Sequence, residues 1–258
     1  MKLSISNIAW DIKDNEKVYS YLNQKKFSGL EIAPTKLFPE SPYLHKVEAA
    51  EYFSQLKRNY GLEVSSMQSI WYGKNGNIFS SEKEKKDLQD YSFKAIDFAA
   101  AIGCGNLVFG NPKARNKGEN HSDNLVYDFF NKIADYAHKN GTCVSLEPNP
   151  VIYGTNFINN TNQAFKFCNE LNNPNLKVNV DFGTIIYNDE PFDWIQKNID
   201  KVNHIHISEP YLKKIEKRDL HKKLINLNFD KYISIEMGLQ NNLNDVFEVI
   251  DYIAEVLG

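Results

Sequence analysis

Glu147, Asp181, His206 and Glu236 each stand at or near the end of a short run in which apolar and polar residues alternate. Val144 and Leu146 flank Ser145 before Glu147, and Val178 and Val180 flank Asn179 before Asp181. Ile205 and Ile207 flank His206, and Ile233 and Ile235 flank Ser234 before Glu236. Side chains on a strand alternate faces with period two, so the polar set shares one face and the apolar set the other. Three carboxylates and one imidazole then meet in one small space. Buried carboxylates cannot all stay ionised together without a compensating cation. One divalent ion supplies it, and oxygen-rich ligation with a single imidazole suits Mn²⁺, Mg²⁺ or Co²⁺, with Zn²⁺ also compatible. A single strand-end acid is usually a cap or an ion-pair partner; the common phase on four successive strands carries the metal reading. His204 shares that phase one layer deeper, which suits support or packing better than ligation.

Positioning these residues takes a repeating scaffold. Strand-like runs at Leu3–Ile8, Gly29–Ile32, Glu63–Gln68, Asn106–Phe109, Cys143–Glu147, Leu176–Asp181, Val202–Ile207 and Tyr232–Glu236 are each followed by a helical stretch. The helices are expected near 15–26, 47–60, 81–102, 123–140, 162–171, 191–199, 218–226 and 243–257. Ser81 with Glu84 three residues on reads as a capping box, and Gly103 as the stop. Leu125, Phe129, Ile133 and Ala137 recur on one helical face. Eight strand–helix units in 258 residues give about 32 residues each, the length of a βαβ repeat. The pattern predicts an α/β protein, a single (β/α)8 barrel over residues 1–258, with the four chemical residues at the C-terminal mouth. An open doubly wound sheet is the alternative. Gly103-Cys-Gly105 precedes a strand, whereas a dinucleotide fingerprint follows one.

Composition narrows the partners. A formal charge of −3 and a pI near 6.1 offer no broad basic field for nucleic acid. No run approaches the roughly 18 apolar residues of a membrane span, and with one Lys and only a short apolar stretch Met1–Trp10 is not expected to be a secretory signal. Cys104, Cys143 and Cys168, odd in number and without CxxC spacing, suit reduced thiols in a cytoplasmic protein.

Around the four residues the sequence carries further motifs. They are Ser6-Asn-Ile-Ala-Trp10, Gly29-Leu-Glu-Ile-Ala-Pro34, Leu146-Glu-Pro-Asn-Pro150, Val180-Asp-Phe-Gly-Thr184, His204-Ile-His-Ile-Ser-Glu-Pro210 and Ser234-Ile-Glu-Met237. With these the whole chain resembles the xylose-isomerase-like barrel superfamily, which includes sugar phosphate isomerases and ketose 3-epimerases. The resemblance implies that Glu147, Asp181, His206 and Glu236 are the metal ligands. It also implies that Glu147 and Glu236 transfer protons to and from the carbon beside a carbonyl, through an enediolate. A metal-dependent dehydratase and a non-catalytic sugar-binding barrel are the alternatives. Three positions depart from the epimerase pattern: Thr184 replaces a His, Tyr153 replaces a Glu, and Ser208-Glu-Pro-Tyr-Leu212 lacks an Arg. These argue against a free ketohexose of the usual kind. Three-zinc apurinic endonucleases share the superfamily but need extra His ligands, where this chain has Gln68, Phe109-Gly110 and Thr184.

The carbohydrate contacts expected from loop positions follow. Trp10 and Trp71 offer apolar faces to sugar C–H groups, or serve the core. Glu31, Gln68 and Asn149 could accept or donate hydroxyl hydrogen bonds. Asn111, Lys113 and Arg115 follow the fourth strand; the Lys113–Arg115 pair could hold a phosphate or carboxylate, or be a solvated loop pair. Tyr153 and Glu209, in the loops after the fifth and seventh strands, complete the set. His221 is expected at the surface. The family's barrels often pair, so a homo-oligomer is an expectation that no feature of this sequence demands.

Overall fold

The alternation of the strands settles the architecture. The computed structural model describes residues 1–118 and 122–258. Its strands are β1 (Lys2–Ser6), β2 (Gly29–Ile32), β3 (Glu63–Met67), β4 (Leu107–Phe109), β5 (Val144–Leu146), β6 (Leu176–Asp181), β7 (Val202–Ser208) and β8 (Tyr232–Glu236). All pair in parallel and in chain order, and β8 returns to β1 through Ser4 opposite Ser234, so the sheet is a closed barrel. The helices are α1 (Asn15–Gln24), α2 (Pro34–Leu37), α3 (Lys46–Tyr60), α4 (Glu82–Ala101), α5 (Tyr127–Lys139), α6 (Thr161–Leu171), α7 (Phe182–Asn188), α8 (Asp193–Lys197), α9 (Asp219–Lys222) and α10 (Leu243–Leu257). This is a (β/α)8 barrel.

Apolar strand residues such as Ile5, Leu30, Val180, Ile205 and Ile235 are buried in the main hydrophobic cluster with the inner faces of the helices. The complementary set, Ser4, Ser6, Ser66, Ser145, Asn179, His206 and Ser234, is equally buried. Buried polar groups must find partners. Asn106 illustrates this: its Nδ2 donates to Ser66 Oγ at 3.0 Å and its Oδ1 accepts from Ser145 Oγ at 2.6 Å. Two irregularities keep the faces in phase. Between Val178 and Asn179 the register against β7 shifts, so Asn203 has no residue of β6 opposite it and Asp181 lies opposite His206. A like shift between Leu30 and Glu31 sets Glu31 opposite Ser66. A bulge of one residue re-aims everything after it.

Helix termini follow their caps. Ser81 Oγ accepts from Glu84 N at the start of α4, and Gly103 takes φ +68° just after its end. Three expectations shift. Leu125 lies in a 3₁₀ turn (Asp123–Val126) ahead of α5 and is exposed, while Val126 takes the buried place. A helix, α7, begins directly after Asp181, ahead of the stretch expected at 191–199, which contains only the five-residue α8. Asp181 caps α7, accepting from the Thr184 backbone N–H at 2.6 Å. His221, expected at the surface, is fully buried between Phe182 and Tyr252.

Candidate active site

Four strand ends bring together a group of side chains that could hold a metal ion. Glu147, Asp181, His206 and Glu236 each present one ligand atom, all within 4.8 Å of one another. His206 Nδ1 lies 2.8 Å from Glu147 Oε1 and 3.1 Å from Glu236 Oε2. Every carboxylate is held from behind. Asn179 Nδ2 donates to Glu147 Oε1 at 2.7 Å, and Asn149 Nδ2 to Glu147 Oε2 at 3.3 Å. Gln68 Nε2 donates to Glu236 Oε1 at 2.8 Å and to Ser6 Oγ at 2.9 Å. Ser208 Oγ donates to Asp181 Oδ1, and the Thr184 hydroxyl to Asp181 Oδ2 at 2.7 Å.

Negative charge exceeds positive charge around this group. Burial, then the charges of Glu147 and Glu236, push the Asp181 carboxyl up to about 7. Burial opposes a charged imidazolium at His206, but Glu236, Glu31 and the hydrogen bonds to Glu147 and Glu236 outweigh it and hold the ring well above the usual histidine range. His204 goes the other way, far below that range, through burial and then the His206 charge. An excess of negative charge around clustered oxygen atoms and one imidazole nitrogen fits a hard divalent ion.

A cavity of about 530 Å³ opens over these residues and is lined by Glu147, Asp181 and Glu236. Of the expected substrate contacts, Gln68, Trp71, Asn111 and Lys113 line it from the β3 and β4 side. Asn149, Tyr153 and Glu209 line it from the β5 and β7 side. Trp71 offers only an edge, since it is 1% exposed and its Nε1 donates to Ser92 Oγ. The Tyr153 hydroxyl accepts from the Tyr211 backbone N–H, and burial first pushes it up to about 12, so it stays protonated. Glu209 is occupied: Arg218 Nε and Nη2 donate to its two oxygens at 2.7 and 2.6 Å.

Three expected contacts do not line the cavity. Trp10 is packed in the core with Nε1 on Asn15 Oδ1 at 2.8 Å. Glu31 is fully buried, 2.9 Å from His206 Nε2. Arg115 is neither a solvated loop residue nor a cavity residue. It is completely buried, its Nη2 donates to Asn149 Oδ1 at 2.6 Å, and its Nε and Nη1 have no partner. Burial lowers it to about 10 against the opposing charge of Glu147. A wider groove of about 910 Å³ between α3 and α4 contains none of those four residues.

Sequence reasoning missed Asn179, Thr184, Ser208 and Arg218 as parts of the site. Ser208 follows His206 by two residues and so shares its phase; counting one step further along β7 finds it. Arg218 leaves no such signal, because it reaches Glu209 only through the fold of the long loop.

The model of one protein family, the xylose isomerase-like TIM barrel, matches residues 21–254. The chain belongs to that family. Among solved structures it is similar to 3-keto-D-glucoside 4-epimerase of E. coli, at 19% identity and a TM-score of 0.79, over 99% of this chain and 98% of that one. It is also similar to D-psicose 3-epimerase of Clostridium cellulolyticum, solved with D-tagatose, at 14% identity and a TM-score of 0.77, over 100% and 99%. An IolI protein with a bound zinc atom matches at 15% identity and a TM-score of 0.73, over 99% of each chain. At these identities the likeness speaks for the fold. No curated protein matches the chain.

Proposed function

We propose that this protein is a divalent-metal-dependent isomerase or epimerase of a sugar or sugar derivative, working by proton transfer through an enediolate. The observation that carries it is the convergence of Glu147, Asp181, His206 and Glu236 under a cavity of about 530 Å³. Sugar epimerases and a zinc-holding IolI protein among its structural neighbours support the reading. Mn²⁺, Mg²⁺ or Co²⁺ suits these donors best, and Zn²⁺ is compatible.

The four residues would hold the ion, whose charge, when bound, would polarise a substrate carbonyl and stabilise an enediolate. The chain's own residues do the rest. One of Glu147 and Glu236 takes the proton from the carbon beside the carbonyl. The other returns one, and return on the opposite face inverts that carbon. Their carboxylates flank the His206 ring nitrogen at 2.8 and 3.1 Å, so both reach the same space. Gln68 fixes the Glu236 carboxylate, and Asn149 and Asn179 fix that of Glu147, which keeps each base aimed. The edge of Trp71 and the polar Asn111 and Lys113 form the wall for the remainder of the sugar.

The test is product analysis on free ketoses and aldoses, their phosphates and keto-glycosides, with Mn²⁺ and with EDTA. Formation of an isomer or epimer that stops with EDTA is the expected result. A dicarbonyl or enone absorbance would point to dehydration instead. Binding without turnover, unchanged in Glu147→Gln, would mark a sugar-binding barrel.

A further inference from the structure

Glu31 is a buried carboxylate that the proposed chemistry leaves unused. It stands on β2, is fully buried, and lies 2.9 Å from His206 Nε2 through Oε1. A carboxylate accepts hydrogen bonds, so the ring nitrogen facing it carries the proton. Nδ1 faces the Asn179 amide Nδ2, a donor, at 3.2 Å, and Glu147 and Glu236 at 2.8 and 3.1 Å; an ion shared with those two carboxylates takes the place of a proton on Nδ1. The partners lie 175 residues apart and come from strands that are not neighbours in the barrel. His204 fills the space beside them, with Nε2 on Ser234 Oγ at 2.8 Å and 3.8 Å from Glu31 Oε1.

We infer that Glu31 is a positioning residue for His206: it fixes the tautomer with Nε2 protonated and offers Nδ1 to the ion. This rests on the reading that the four strand-end residues hold a divalent metal. A ligating imidazole that gives its other N–H to a carboxylate is held in orientation and made a stronger donor. Glu31, His204 and His206 also bring three ligand atoms within 4.8 Å of one another. They do not make a second ion site, because His206 Nε2 cannot ligate while it donates to Glu31. The trio is a support for the metal centre on the far side of the ring.

The experiment is a calorimetric Mn²⁺ titration of metal-free wild type and Glu31→Gln, with melting curves of both. The expected result is one ion per chain in wild type and a Kd weaker by roughly 10–100-fold in the variant. A variant of wild-type affinity, or two ions per chain in wild type, overturns the inference. Wild type that binds no divalent ion overturns the proposed function instead. Should Glu31→Gln fail to fold, ¹⁵N-histidine spectra of Zn²⁺-loaded wild type decide alone. Protonation of His206 at Nε2 supports the assignment, and protonation at Nδ1 overturns it.

Discussion

Glu147 is gripped by Asn179 on one oxygen and Asn149 on the other, while Glu236 rests on Gln68. Glu147→Gln and Glu236→Gln remove a proton acceptor while keeping its shape. Each should lower turnover by about 10²–10⁴-fold, measured at saturating Mn²⁺ so that weaker binding of the ion is not the cause. Arg115 acts at one remove, through Asn149. Replacing it with Met exchanges a buried cation with two unpaired nitrogens for an apolar chain of similar length. Melting should change little, because two unpaired nitrogens are removed while the buried Asn149 Oδ1 loses its donor. Turnover should still drop by about tenfold as Asn149 loosens from Glu147. Equal activity would show that Arg115 does not position Asn149.

The strand ends carry the second group of predictions. Gly110 directly follows β4, and a side-chain carbon built there would run into the Glu147 carboxylate. Gly110→Ala should therefore displace Glu147 and weaken Mn²⁺ binding, read by titration, while circular dichroism stays that of the folded barrel. Farther out, His221 joins α9 to α10 through Tyr252, and burial, then Arg218, lowers it from 6.5 to about 4. The folded state thus binds its proton less readily than the unfolded chain. Stability from this group is present above 6.5 and is lost as pH falls through 4, by on the order of 3 kcal/mol. His221→Gln should flatten that part of the Tm–pH curve. Much of this level was legible beforehand. Period-two alternation placed Glu147, Asp181, His206 and Glu236 in one phase, and the structure brings their ligand atoms together. The bulges at Asn203 and in β3 were not legible, since nothing in the local pattern says where a register slips. Nor was α7, because Phe182–Asn188 shows no strong helical period and its start depends on Asp181 acting as a cap. Arg115 and His221 were misplaced because burial of a polar residue in a loop is decided by distant chain segments.

At the scale of the whole molecule, a chain of formal charge −3 concentrates three carboxylates at one barrel mouth. A divalent ion there should stabilise the fold by about 2.7 kcal/mol at a hundredfold excess over its Kd, seen as a rise in Tm that EDTA reverses. Protons compete for the same atoms. With Asp181 raised to about 7, affinity for the ion should weaken as pH falls through 7. Among the described residues no helix is long and apolar enough to cross a membrane. The most direct measurement follows solvent deuterium into a sugar turned over by the Mn²⁺-loaded protein, by NMR. Incorporation is expected at the single carbon beside the carbonyl, stopped by EDTA and by Glu147→Gln or Glu236→Gln. Turnover without any deuterium uptake, or uptake untouched by EDTA and by both variants, would contradict it.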